Sequence, residues 1–232
     1  MTASLPPDMC PGVATTDTLP QGTRLWRVHS AAREAHEFNP LPANHKIGGG
    51  RFDSTSLRYY PYLYAAAEKS TALMETIVRS LLFDRTGARA VVRAVIKKLR
   101  MSAIELTRDV RVLMLADQRN LSGICATEWL VHAEAIDYDL TRRWAMWVHG
   151  RDWREQGSDW PGAPQGMVWQ AKRDSPRHAM MFFGDRCADA FKTVPGEGFL
   201  LSDDACHAEL SRLLLPYGVA VNPPNGLTDP VP

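Results

Sequence analysis

A surplus of charge of either sign is missing from this sequence. Its 232 residues carry 27 basic and 26 acidic side chains, a formal net charge of +1. Without a basic excess, no long-range field draws the chain onto nucleic acid or an anionic membrane. Cysteine is also scarce. Cys10, Cys125, Cys187 and Cys206 form no CxxC pair, and no histidines cluster at zinc spacing. A disulfide scaffold and the common zinc sites are therefore not expected, and free thiols in a reducing cytosol are the simplest reading. No run of eighteen apolar residues occurs, so no membrane span is expected. The opening stretch, MTASLPPDMCPGVATTDTLPQG, lacks the basic and apolar regions of a Sec signal. A cytoplasmic location is expected, with delivery into another cell by a secretion machine left open. Internal repeats and low-complexity tracts are lacking too.

What is present is ordinary for a globular protein: 45% apolar and 23% charged residues, enough to bury a real core in one domain. Residues 1–22, rich in proline and small polar residues, read as a flexible arm. Residues 23–220 read as the folded domain and 221–232 as a Pro-rich tail. Within the domain, LWRVHS from Leu25 and YLYAA (Tyr62 to Ala66) read as strands. Glu68 to Leu82 reads as a helix with Leu73, Ile77 and Leu81 on one face. ARAVVRAVIKKL from Ala88 is β-branched and strand-like, and SAIEL reads as a further strand. Helices are expected at about Cys125 to Ile136, at Thr141 to His149 and near Ala208 to Leu215. MVWQAK and AMMFF read as strands around a polar turn, KRDSPRH, which makes a hairpin. This irregular interleaving predicts a single α+β domain, an irregular mixed sheet flanked by helices, rather than a doubly wound sheet.

Three features could carry chemistry. Gly48-Gly49-Gly50-Arg51 combines glycines, whose N–H groups can face an anion, with a guanidinium fork that grips phosphate. Read alone, it is more often a flexible turn with a surface arginine. It is neither a P-loop nor a Rossmann fingerprint. Tyr64 near a strand end and Glu75 in the following helix form the second feature. Alone, Tyr64 reads as a core aromatic and Glu75 as a surface partner of Arg79, four residues on. Trp169 is the third. It is placed to stack on a base or nicotinamide, but packing in the core is its commoner role.

Their order and spacing resemble the RES family from Leu25 to Arg186. The resemblance rests on a short LWRV strand, GGGRF, YLYAA, ALMET and a late GMVW strand followed by FGDR. It implies a fold like that of ADP-ribosyltransferases and a toxin that degrades NAD+ by phosphorolysis or hydrolysis. It places the family's Arg on Arg51, its Tyr on Tyr64, with Tyr62 as a fallback, and its Glu on Glu75. The expected catalytic set is thus Glu75, Arg51 and Tyr64. Gly50, Trp169 and Ala171 would join Arg51 and Tyr64 in binding substrate. The family's Ser does not match, because Ala171 stands at that position and Ser175 lies four residues further on. NAD is then the substrate, with no cofactor and no metal. Glu75 would stabilise an oxocarbenium-like ribose, Arg51 hold the phosphates, and Tyr64 stack on nicotinamide. The implied partners are NAD+, inorganic phosphate or water, and a neutralising antitoxin or immunity protein. The family suggests an antitoxin of the Xre type, whose tail would meet Arg51, Lys172 and Arg173 at the cleft mouth. A protein mono-ADP-ribosyltransferase and a catalytically weakened NAD-binding module are the alternatives. Leu73, two positions before Glu75, lacks the acidic group of many protein-modifying relatives.

Overall fold

An eight-stranded sheet organises the chain, in the order β1-β6-β7-β8-β3-β2-β5-β9. These strands are β1 (Thr16–Leu19), β2 (Arg24–Ser30), β3 (Tyr62–Ala66), β5 (Leu99–Leu106), β6 (Val110–Leu115), β7 (Gly166–Gln170), β8 (His178–Phe183) and β9 (Phe191–Leu200). A separate parallel pair joins β4 (Ala90–Val91) to β10 (Ala220–Val221). The helices are α1 (Lys69–Leu73), α2 (Arg93–Ile96), α3 (Gln118–Gly123), α4 (Trp129–His132), α5 (Tyr138–Gly150), α6 (Gly184–Cys187) and α7 (His207–Leu214). The computed structural model describes residues 3–43, 49–151, 153 and 162–223. Pairing is antiparallel except between β6 and β7, so the sheet is mixed and the α+β expectation holds.

The period of two along the central strands makes two cores. On β8, Ala179, Met181 and Phe183 face α5, while Met180 and Phe182 join Leu25, Leu63 and Val168 on the other side. The first core also holds Trp144, Trp153 and Trp169. A third cluster, around Leu73, Met74, Ile96, Met101, Leu210 and Leu214, packs α1 and α7 against the β2–β5 half of the sheet. The two halves of the sheet meet weakly. β2 and β3 share one register pair, Trp26 with Ala66, whereas β2 and β5 pair along the whole of β2. Val28 of β2 and Ala65 of β3 therefore stand on either side of an opening.

Several expected boundaries move. Residues 1–22, expected as a loose arm, contain β1, which pairs with β6 from Thr16 to Leu19. Their upstream part is pinned as well: Trp144 Nε1 donates to Ser4 O at 2.8 Å, and Cys10 is buried. At the other end, β10 crosses the expected 220/221 boundary, and residues 224–232 of the tail lie outside the described residues. ARAVVRAVIKKL is not one strand. It divides into β4, α2 and the start of β5, because a helical turn buries Ile96 and leaves Val92 and Val95 in solvent. The single helix expected at Cys125 to Ile136 is replaced by α3 before it and the short α4 within it. Cys125, at φ 61°, breaks the path between them. SAIEL is the second half of β5 rather than a strand of its own. Among the described residues no helix is long and apolar enough to cross a membrane.

Candidate active site

The segment expected as one helix from Glu68 to Leu82 is instead α1 followed directly by a single π turn, Met74–Val78. Wide turns of this kind are rare and concentrate at functional sites. Leu73, Met74, Ile77 and Val78 bury themselves in the third core cluster. Ala72, Glu75, Thr76 and Arg79 are left on one face, at helical spacing, and that face lines a cavity of about 260 Å³. Opposite stand Gly49, Gly50 and Arg51 from the loop before β3, Tyr62 and Tyr64 from β3, Trp169 from β7 and Tyr138 from α5. The cavity sits where β2 and β3 part.

Arg51 and Glu75, far apart in sequence, meet here. Arg51 Nη1 lies 3.8 Å from Glu75 Oε2, with the arginine side chain 6% exposed and the glutamate 15%. The other carboxylate oxygen, Oε1, accepts the backbone N–H of Lys172 at 3.1 Å. Glu75 does not pair with Arg79, the partner that helix spacing offers. Arg79 turns instead to Gly49, donating from Nη2 to its carbonyl at 2.7 Å. Glu75 is thus fixed from two sides and still opens onto the cavity.

The loop that carries Arg51 is held almost atom by atom. Gly50 N–H donates to Asp53 Oδ2 at 2.7 Å, and Gly50 O accepts from Arg142 Nε at 3.1 Å. Arg51 O accepts from Thr141 Oγ1 at 2.6 Å. Phe52 N–H donates to the Tyr64 hydroxyl at 2.8 Å, and Phe52 O accepts from Tyr60 at 3.1 Å. The glycines are required, not merely tolerated. Gly49 has φ +78°, and a Cβ on Gly50 would come within 2.5 Å of Asp53 Oδ1 and 2.7 Å of the Tyr64 hydroxyl. The Gly50 N–H, expected to face an anion, is already committed to Asp53. What the loop offers a ligand is the Arg51 side chain. Gly48 lies outside the described residues.

Asp53, which sequence reasoning did not single out, is the hub of this arrangement. It is 2% exposed and accepts from Gly50 N–H, Tyr62 and Tyr64, the two phenols at 3.0 and 2.8 Å. Burial, then the neighbouring Asp53 charge, pushes the Tyr64 phenol well above its usual range, so the hydroxyl stays protonated. Tyr64 can therefore serve as a wall and not as a proton acceptor. Tyr62 is bound to the same carboxylate and lines the same cavity, so both β3 tyrosines belong to the site. Arg142 and Thr141 were also missed. The signal available was a buried arginine inside the apolar face of α5.

Trp169 packs in the core, 1% exposed, edge-on to Phe52 and Tyr64 with ring centroids at 5.1 and 6.2 Å. It still borders the cavity, but the open stacking face expected of it is largely covered. Its Nε1 and the Nε of Arg51 are buried with no hydrogen-bond partner among the described residues. Ala171 is fully buried in the core cluster and does not line the cavity. Lys172 and Arg173 turn aside: Lys172 Nζ pairs with Glu134, and Arg173 Nε donates to Arg79 O at 2.9 Å. Exposed Ser175 is likewise remote from the cavity lining. On α4, His132 is pushed below its usual range by burial and then by the charge of Arg51. Among the described residues, no three His, Cys, Asp or Glu side chains gather as metal ligands would.

A mixed sheet parted between β2 and β3, with an arginine and a carboxylate paired on the wall of the cavity beside the parting, defines an α+β domain with a cleft at its centre. The RES domain family model matches residues 24–204, and the chain belongs to the RES domain family. Among solved structures it is similar to the M. tuberculosis MbcT–MbcA toxin–antitoxin complex, with a TM-score of 0.50 and 14% identity. The likeness covers 78% of this chain and 85% of that one, and it concerns the fold. No curated protein matches the chain.

Proposed function

We propose that this chain is a toxin that breaks the nicotinamide–ribose bond of NAD+, with phosphate or water as the acceptor. The observation that carries the reading is the Arg51–Glu75 pair, 3.8 Å apart on the wall of a cleft beside Tyr64. Cleaving an N-glycosidic bond builds positive charge on the ribose. Glu75, fixed by Lys172 N–H and aimed into the cavity, is placed to stabilise that charge. Arg51, beside it, is placed to hold an anionic acceptor or the substrate's own phosphate. The aromatic side chains of Tyr64 and Tyr138 on the cavity wall are placed to seat the nicotinamide and to limit water around it. NAD is consumed here, and no resident cofactor is invoked.

Transfer of ADP-ribose to a protein is the second reading on the same fold. One observation disfavours it: Leu73 occupies the position two before Glu75 and is fully buried, so nothing acidic presents an acceptor side chain from there. A binding module without catalysis is the third. Ala171, the departure from the family's Ser, sits in the core, and the adjacent Lys172 backbone still grips Glu75.

A toxin that drains NAD needs a neutralising partner in its own host. The similar solved structure is a toxin–antitoxin complex. A helix-turn-helix antitoxin whose acidic tail enters the cleft is the partner proposed, and DNA binding by the complex would belong to that partner. The test is incubation of purified protein with NAD, with and without phosphate. Free nicotinamide with no modified protein supports the first reading. Label on a protein supports the second, and intact NAD supports the third.

A further inference from the structure

Arg79 is not used by the chemistry above, yet it lines the same cavity. It stands one turn beyond Glu75 on the same face. Spacing offers it Glu75 as an ion-pair partner, and it declines that contact in favour of the Gly49 carbonyl. A guanidinium has five N–H donors in a planar fork, and one bond to Gly49 does not exhaust them. The side chain is half-buried, so part of its own desolvation is already met before a ligand arrives. Tyr138 gives the two cavity arginines a common platform: its ring centroid is 5.8 Å from Arg51 Cζ and 5.6 Å from Arg79 Cζ.

The two arginines differ in where they point. Arg51 is buried and tied to Glu75, the carboxylate that the NAD-cleaving reading places at the bond that breaks. Arg79 sits further along the helix. In a dinucleotide the phosphates lie a ribose's width away from that bond. We propose that Arg79 is a second phosphate anchor, and that it makes the cleft select a pyrophosphate-bearing dinucleotide over a nicotinamide riboside lacking phosphate. This rests on the NAD-cleaving reading for its kinetic test but not for its binding test. The competing role for Arg79 is that it only props the Gly49 loop.

Two variants separate these roles. Arg79→Gln loses the charge and, being two atoms shorter, the reach to Gly49 O, while Arg79→Lys keeps the charge and loses the fork; the paired substrates separate a lost anchor from a lost prop. With NAD and nicotinamide riboside as paired substrates, the Gln variant should lose about 10- to 100-fold of the preference for NAD, the size of one charge-assisted contact. The loss should fall on the KM for NAD, and the Lys variant should recover part of it. An equal fall for both substrates would mean that Arg79 only props the loop, and would overturn the proposal. Calorimetry with ADP-ribose reads the same anchor without turnover. At least a tenfold weaker Kd in Arg79→Gln is expected. Equal affinity in parent and variant, or no binding to the parent, would overturn the anchor. A parent that binds ADP-ribose through Arg79 but leaves NAD intact would sink the NAD-cleaving reading while the anchor stands.

Discussion

Tyr64 and Asp53 share a 2.8 Å hydrogen bond in which the phenol donates to the carboxylate. The same phenol accepts from Phe52 N–H, and the same carboxylate accepts from Gly50 N–H, so one contact locks the cleft wall to both flanks of Arg51. Asp53→Asn replaces an all-acceptor group by one that must also donate, and one buried bond cannot be remade. Stability should fall by about 1–3 kcal/mol. The KM for NAD should rise because Arg51 loses its fixed setting. Urea denaturation and NAD kinetics of Asp53→Asn, Tyr64→Phe and the double variant measure the link. The two losses should fall short of additivity by about 0.5–3 kcal/mol, and strictly additive losses would show that the contact couples nothing.

Glu75→Gln should suppress nicotinamide release by roughly a hundredfold or more, the scale of removing one preorganised electrostatic group. Gln keeps an oxygen for Lys172 N–H but no countercharge for buried Arg51, so the melting temperature should fall modestly while the fold stays intact. Nicotinamide release measured beside a thermal melt decides it. Parent-like turnover would remove Glu75 from catalysis. A collapse of the melt along with activity would make its role structural.

Much of this fold was legible because it obeys simple patterns. β2 alternates, α5 and α7 keep helical spacing, and β3, β7 and β8 read as short continuous apolar runs buried on both faces. The ARAVVRAVIKKL segment misleads because β-branched residues favour strands locally, while tertiary burial selects only Val91 and Ile96. β9 hides because its sequence, FKTVPGEGFL, carries a proline and two glycines, which an edge strand tolerates and a central one does not. In the site, Arg51, Tyr64 and Glu75 were reachable through family likeness, and the cleft brings them together. Asp53, Thr141 and Arg142 were not, since their work is to bind backbone atoms whose positions exist only after folding. The π turn leaves no sequence mark distinguishable from an ordinary helix.

His29 offers an acid-sensitive element away from the cleft. Burial, then the charge of Arg27, lowers its pKa from the usual 6.5 to about 4. Nδ1 lies 2.9 Å from Ser30 O and Nε2 2.9 Å from Ser102 Oγ, so the neutral ring donates at the first and accepts at the second. The folded pKa lies below the unfolded one, so the unfolded chain binds the proton first. Stability should therefore decline as pH falls from about 6.5 towards 4, and this contribution to the decline should level off below that. Urea midpoints across that window should drop less steeply in His29→Gln than in the parent. Parallel slopes would show that His29 does not drive the decline.

Gly50→Ala tests the closeness of the loop directly. The added methyl would meet Asp53 Oδ1 at 2.5 Å and the Tyr64 hydroxyl at 2.7 Å, both held in the hydrogen-bond cluster and unable to retreat without breaking it. Overpacking of this kind costs about 1–3 kcal/mol. Displacement of the loop should also raise the KM for NAD, because the Arg51 guanidinium follows its backbone. Gly22→Ala is the fitting control. Gly22 has φ +83° but nothing within 4 Å, so its substitution strains the backbone without touching the cleft. Thermal melts should fall for both variants, and NAD kinetics should change for Gly50→Ala alone. If Gly50→Ala binds and cleaves NAD as the parent does, the loop has more freedom than its hydrogen bonds imply, and Arg51 is positioned by something other than the Gly50–Asp53–Tyr64 contact.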